Sequence, residues 1–131
     1  MEILYKMGIS EKSIMNMLDI NPNIRDMSEK EISEKIEILR QLECTDSQII
    51  NIISSNALYL GRTNDEIIRL IKYLLELGFD TLNILFDSNP YILNLEIFEI
   101  DNYINKRKSL GEKIEDIIDD LDSNPYMFNE I

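Results

Sequence analysis

The chain has no histidine, no tryptophan and no valine, a single alanine (Ala57), a single cysteine (Cys44), three prolines and four glycines. Each scarcity excludes something. Without histidine there is no imidazole for general acid–base work, and neither a Cys–His nor a Ser–His nucleophile pair can be assembled. The four glycines are scattered, so no glycine-rich loop exists to cradle a phosphate. One cysteine allows no intrachain disulfide and hence no secreted, stapled scaffold. Basic residues are also short: 13 Lys and Arg stand against 25 Asp and Glu, a net charge of −12. A generic nucleic-acid binder has the opposite balance, because it must neutralise phosphates. No apolar run approaches the ~20 residues of a membrane helix, and Glu2, Lys6 and Ser10 interrupt the apolar start where a signal peptide would be unbroken. A soluble, non-enzymatic protein of the cytoplasm is the expectation.

What is present is apolar and helix-forming. Of the 131 residues 44% are apolar, enough for a packed core. The acid excess is uneven: residues 1–65 hold 7 bases and 11 acids, residues 66–131 hold 6 bases and 14 acids.

The three prolines share one phase. Asn-Pro occurs at Asn21-Pro22, Asn89-Pro90 and Asn124-Pro125, and Asn56-Ala57 fills the gap, at intervals of 35, 33 and 35 residues. Around each Asn the apolar positions repeat. Leu18, Ile53, Phe86 and Leu121 stand three before; Ile24, Tyr59, Ile92 and Met127 stand three after. Glu31, Glu66 and Glu99 stand ten after, and Leu42, Leu77 and Leu110 twenty-one after. The next position is Glu43, Gly78 or Gly111, with Gly8 equivalent in a shortened first unit. Such a period indicates a helical repeat.

The local chemistry gives each unit its elements. Ser28 to Glu31 and Thr63 to Glu66 read as capping boxes that open long helices over 28–42 and 63–77, with a third over 96–110. Gly78 and Gly111 suit the left-handed residue after a helix; Glu43 suits it poorly. Shorter helices follow over 10–19, 45–54, 81–87 and 112–122, with Ser10, Thr45 and Asp80 as caps. Each ends at its Asn-Pro, because the residue before proline avoids the helical region, and a tight 3₁₀ turn follows. The helix over 63–77 is apolar nearly all round and is expected to be buried on several sides. One domain over residues 1–131 is expected.

The stretches Leu42 to Leu60, Leu74 to Leu93 and Leu110 to Phe128 resemble the repeat of the mitochondrial transcription termination factor family (mTERF). That repeat reads as an apolar helix ending in Leu-Gly, a short helix with paired isoleucines, then an Asn-Pro and an apolar turn. The resemblance implies a short right-handed α-solenoid of three to four helix–helix–3₁₀ repeats, and relatives that bind DNA or RNA through a basic groove. Tetratricopeptide units, of similar length, need small residues and a tryptophan that this chain lacks.

Several surfaces are candidates. Aligned long-helix positions form a polar strip of Glu34, Glu37 and Gln41, then Arg69, Lys72 and Glu76, then Asn102, Asn105 and Ser109; ordinary solvated surface is the plainer reading. Glu115, Asp116, Asp119 and Asp120, with Glu112 and Asp122, make an acidic face over Ile114, Ile117, Ile118 and Leu121. Lys106, Arg107 and Lys108 form the one basic run and also complement a helix dipole. Tyr59, Tyr91 and Tyr126 are expected to pack in the turns rather than stack on bases. Cys44, beside Glu43, is expected to be an idle thiol of raised pKa. No metal or cofactor is expected, since no carboxylate spacing matches a known cation loop.

Charge places a binding module for a basic protein first, in its sharpest form an acidic inhibitor that imitates a nucleic-acid backbone. A small nucleic-acid-binding regulator using Arg69, Lys72, Lys106, Arg107 and Lys108 is the second reading. A structural or assembly subunit, with an exposed end pairing into a homodimer, is the third.

Overall fold

A computed structural model describes residues 1–131 and contains helices only. The α-helices are α1 (Glu2–Lys6), α2 (Glu11–Ile20), α3 (Glu29–Gln41), α4 (Asp46–Ser55), α5 (Asn64–Leu77), α6 (Leu82–Ser88), α7 (Ile97–Ser109) and α8 (Ile114–Ser123). Four 3₁₀ turns follow the even-numbered helices, at Pro22–Asp26, Ala57–Gly61, Pro90–Asn94 and Pro125–Glu130. Each of the last three units is thus a long helix, a shorter helix and a 3₁₀ turn, and the first unit opens on the short α1.

The units stack in sequence order. α1 touches α3 and α3 touches α5; α2 touches α4 and α4 touches α6; each 3₁₀ turn touches the next. An element that contacts its own equivalent one repeat along is the mark of a one-dimensional array. A continuous apolar core runs from Leu4 to Phe128 and takes in the phased positions Leu18, Ile53, Phe86 and Leu121.

The helix ends follow the capping chemistry. Ser28, Thr45 and Thr63 side chains each accept the N–H three residues on, at 3.1–3.2 Å, and Glu31, Gln48 and Glu66 reach back. At α7 the Glu96 N–H donates to Glu99 Oε1 at 2.9 Å. Ser10 caps α2 through the Ser13 N–H. Asp80 is not a cap: α6 starts after Thr81, which makes no side-chain capping bond. Gly8, Gly78 and Gly111 all have positive φ after the first helix of a unit, and Glu43 adopts φ 68° at the same place, the only non-glycine residue to do so.

Three packing expectations change. α5 buries one face, Ile67, Leu70, Ile71 and Leu74, while Ile68 and Leu75 are exposed. An array only one unit wide covers a long helix along its neighbours and leaves the outer face to water. Tyr59 is fully buried, but Tyr91 and Tyr126 project outward. They hold the second position of the 3₁₀ turn, which points away from the stack, whereas Tyr59 holds the third. In the last turn the buried residue is Phe128, one place beyond Met127; its ring lies 5.9 Å from that of Phe79.

Candidate functional surface

The Asn that ends each of α2, α4 and α6 does more than end a helix. Asn21 Nδ2 donates to the Ala57 carbonyl at 3.1 Å, Asn56 Nδ2 to the Pro90 carbonyl at 2.9 Å, and Asn89 Nδ2 to the Pro125 carbonyl at 2.9 Å. A ladder of buried amides therefore ties each turn to the next. Asn94 and Asn129 reinforce it through Asn56 and Asn89. The motif was visible as a helix stop; its role between repeats was not, because that partner lies about 34 residues away.

This scaffold sets the long helices side by side. Of the aligned polar strip, Glu37, Gln41, Arg69, Lys72, Glu76, Asn102, Asn105 and Ser109 are exposed. Glu34 is half-buried and occupied: its Oε2 accepts from Asn64 Nδ2 at 2.9 Å, and Asn64 Oδ1 accepts from buried Lys35 Nζ at 2.7 Å. That chain couples α3 to α5, and burial holds the Lys35 ammonium pKa below its ordinary value. Tyr59 donates its hydroxyl to the Lys35 carbonyl at 2.7 Å, and burial pushes its pKa up.

Between α5 and α7, Arg62 acts as a clamp. Its guanidinium donates to the Leu93 and Leu95 carbonyls at 2.7 and 2.9 Å and pairs with Glu66 and Glu96. Tyr73 bridges the same helices by donating to Asp101 at 2.7 Å, and burial with that carboxylate raises its pKa. Two clefts open beside the clamp. The first, about 180 Å³, has Arg69 on one wall and Phe98 on the other. The second, about 300 Å³, runs from Phe98 past Asn102 to Lys106. Phe98 is shared by both and is 65% exposed. Arg69, Lys72 and Lys106 take part in no ion pair. Sequence reasoning passed over Phe98. Its signal was a break in the repeat: the equivalent positions carry Lys30 and Asp65.

The basic run divides. Lys106 and Lys108 are exposed. Arg107 is not free: it donates to Glu112 and Asp120, with its Nε 2.9 Å from Glu112 Oε2, and its guanidinium lies 5.7 Å from the Tyr103 ring centre. This bridge fastens α7 to α8 and holds Glu112 below the usual carboxylate range. It also withdraws Asp120 from the acidic face, leaving Glu115, Asp116 and Asp119 exposed and unpaired. Ile117, Ile118 and Leu121 lie inside as expected. Asp122 is pushed up by partial burial and by Asp80 and Asp119. Cys44 is buried and its thiol pushed up to about 11, by burial and by Asp87 rather than Glu43.

No three Cys, Asp or Glu side chains are arranged to hold a metal ion, and no helix is long and apolar enough to cross a membrane. Neither the curated proteins nor the solved structures contain a match to this chain. The family model for mTERF matches residues 1–128, and on that match, with its stacked helical repeats, the chain belongs to the mTERF family.

Proposed function

We propose that this protein is a small, non-catalytic regulator of gene expression that binds single-stranded nucleic acid on the α5–α7 face. Composition alone put a basic protein partner first. Family membership reverses that order, because mTERF proteins are in general non-catalytic binders of nucleic acid. The observation that carries the reading is the exposed Phe98 ring set between the unpaired cations Arg69 and Lys106.

The chemistry is that of a stacking platform. A base laid on the Phe98 ring leaves its flanking phosphates within reach of Arg69 on one side and Lys106 on the other. Lys72 extends the contact along α5. Asn102 and Asn105 offer amides to base edges. Ring stacking needs an unstacked base, so a single strand is preferred over a duplex. Arg107 contributes by holding α7 in place, not by touching a phosphate. Glu66 and Glu96 line the first cleft and Glu99 and Glu130 the second, and these carboxylates, with the acidic α8 face outside the clefts, set an upper limit on affinity.

Replacing Phe98 by Ala tests this directly. Stacking on an aromatic side chain is worth ~1–3 kcal/mol per base, so Phe98→Ala is expected to weaken binding of a labelled single strand by roughly tenfold or more. Thermal stability should stay unchanged, since the ring is exposed. Equal affinities for the two proteins would remove Phe98 from the site.

A further inference from the structure

Two more clefts open where the long helices end. One, of about 260 Å³, is bounded by Leu42 and Glu43 on one unit and by Leu75 and Asp80 on the next. The other, of about 240 Å³, is bounded by Leu77 on one unit and by Glu115, Ile118 and Asp119 on the next. They occupy corresponding places, since Leu42 and Leu77 hold the same repeat position. The C-terminal end of α5 and the turn into α6 form their common wall.

Each cleft sets aliphatic side chains among polar ones, Leu42, Leu75 and Leu82 in the first and Leu77, Ile114 and Ile118 in the second, and Leu75 is 48% exposed. The rims have one sign. Glu43, Asp80, Glu115 and Asp119 make no ion pair. The terminal carbonyls of α5 add partial negative charge at the shared wall. Exposed leucine costs free energy in water, and unpaired like charges repel one another. A ligand that is both aliphatic and basic relieves both at once. A nucleic-acid strand has the wrong charge. A second copy of this chain has one basic run, in which Arg107 is already paired.

We propose that these two clefts together dock an extended, basic peptide segment of a partner protein. One aliphatic side chain enters each cleft, and Lys or Arg residues on either side meet Glu43, Asp80, Glu115 and Asp119. Neighbouring helices pack ~8–10 Å apart, and a segment in the extended polyproline II conformation advances ~3.1 Å per residue and presents the same face every third residue. The two aliphatic anchors therefore stand about three residues apart. None of the rim residues lines the Arg69–Phe98–Lys106 clefts, so this interaction and the nucleic-acid reading stand or fall separately.

The test uses a fluorescent lysine peptide with leucine at every third position, and a control in which serine replaces leucine. Each is titrated into the full chain by anisotropy, and amide shifts are followed by NMR. The leucine peptide should bind about tenfold more tightly than the control, with shifts concentrated at Leu75, Gly78 and Ile118. The double variant Glu115→Lys/Asp119→Lys should lose about tenfold in affinity while keeping its melting temperature. Equal binding of the two peptides, shifts spread over the whole acidic surface, or no binding at all would overturn the proposal. The NMR comparison needs only the unaltered protein, so it decides the matter even if the double variant fails to fold.

Discussion

Asn89 illustrates how one residue serves two levels of structure. Its backbone ends α6, and its buried amide donates to the Pro125 carbonyl and to Asn129 Oδ1 of the next turn. Truncation to Ala leaves a carbonyl inside the stack without a donor, a cost of ~1–3 kcal/mol. Asn124 holds the same phase but is exposed, and its amide reaches only the Asp120 carbonyl, at 3.4 Å. Chemical denaturation should therefore show Asn89→Ala clearly destabilised and Asn124→Ala close to the parent. Glu31 and Glu66 supply a pH-dependent counterpart. Their capping bonds hold both carboxyls below the ordinary range in the folded chain. A depressed folded pKa means the stabilisation is present above the unfolded value, about 4.3, and is lost as pH falls through the folded one. Melting temperature should drop on acidification below about pH 4.3. Glu66→Gln, which keeps the geometry that Gln48 uses at Thr45, should flatten part of that drop. The caps were legible in the sequence because their partners lie three residues apart; the amide ladder was not, because its partners lie one repeat apart.

At the scale of elements, α5 shows where pattern and packing part company. Ile68, Tyr73, Leu75 and Leu77 made the helix look buried all round, yet Ile68 and Leu75 face water. Periodicity identifies an apolar face, but not how many neighbours cover it. Boundaries were read to within two residues, because Asn-Pro, Gly78 and Gly111 punctuate each unit. The coupling between α5 and α7 was invisible, since Arg62 sits in a loop and finds its partners more than 30 residues away. Arg62→Ala strands two carbonyls and the Glu66 and Glu96 carboxylates together, and about 2–3 kcal/mol of stability should be lost in denaturant unfolding. The same substitution should loosen the Arg69–Phe98 cleft, which has Arg62 in its wall. A loss confined to about 0.5 kcal/mol would place Arg62 among ordinary surface ion pairs.

For the whole molecule, the net charge of −12 conceals a division of labour. Unpaired carboxylates rim the clefts where the long helices end and cover α8, while Arg69 and Lys106 stay unpaired in the clefts that share Phe98, beside Glu66, Glu96, Glu99 and Glu130, and Lys72 stays unpaired on α5. Composition sees the sum and favours a basic partner; only the packing of α5 against α7 separates the two surfaces. Of the candidate surface, Arg69, Lys72, Asn102 and Asn105 were legible from repeat alignment, and Lys106 from the basic run. Phe98 and the engagement of Arg107 were not, because one breaks the pattern and the other depends on a contact with α8. The most direct test of the nucleic-acid reading is anisotropy of labelled single-stranded DNA and RNA with the parent and with Arg69→Glu/Lys72→Glu, over rising salt. Three cations on a single strand give a slope of about −2 in log affinity against log salt. The account predicts binding to the parent with that slope and loss of binding in the double variant. Absence of binding to the parent at the lowest salt, or equal binding by the variant, would contradict it.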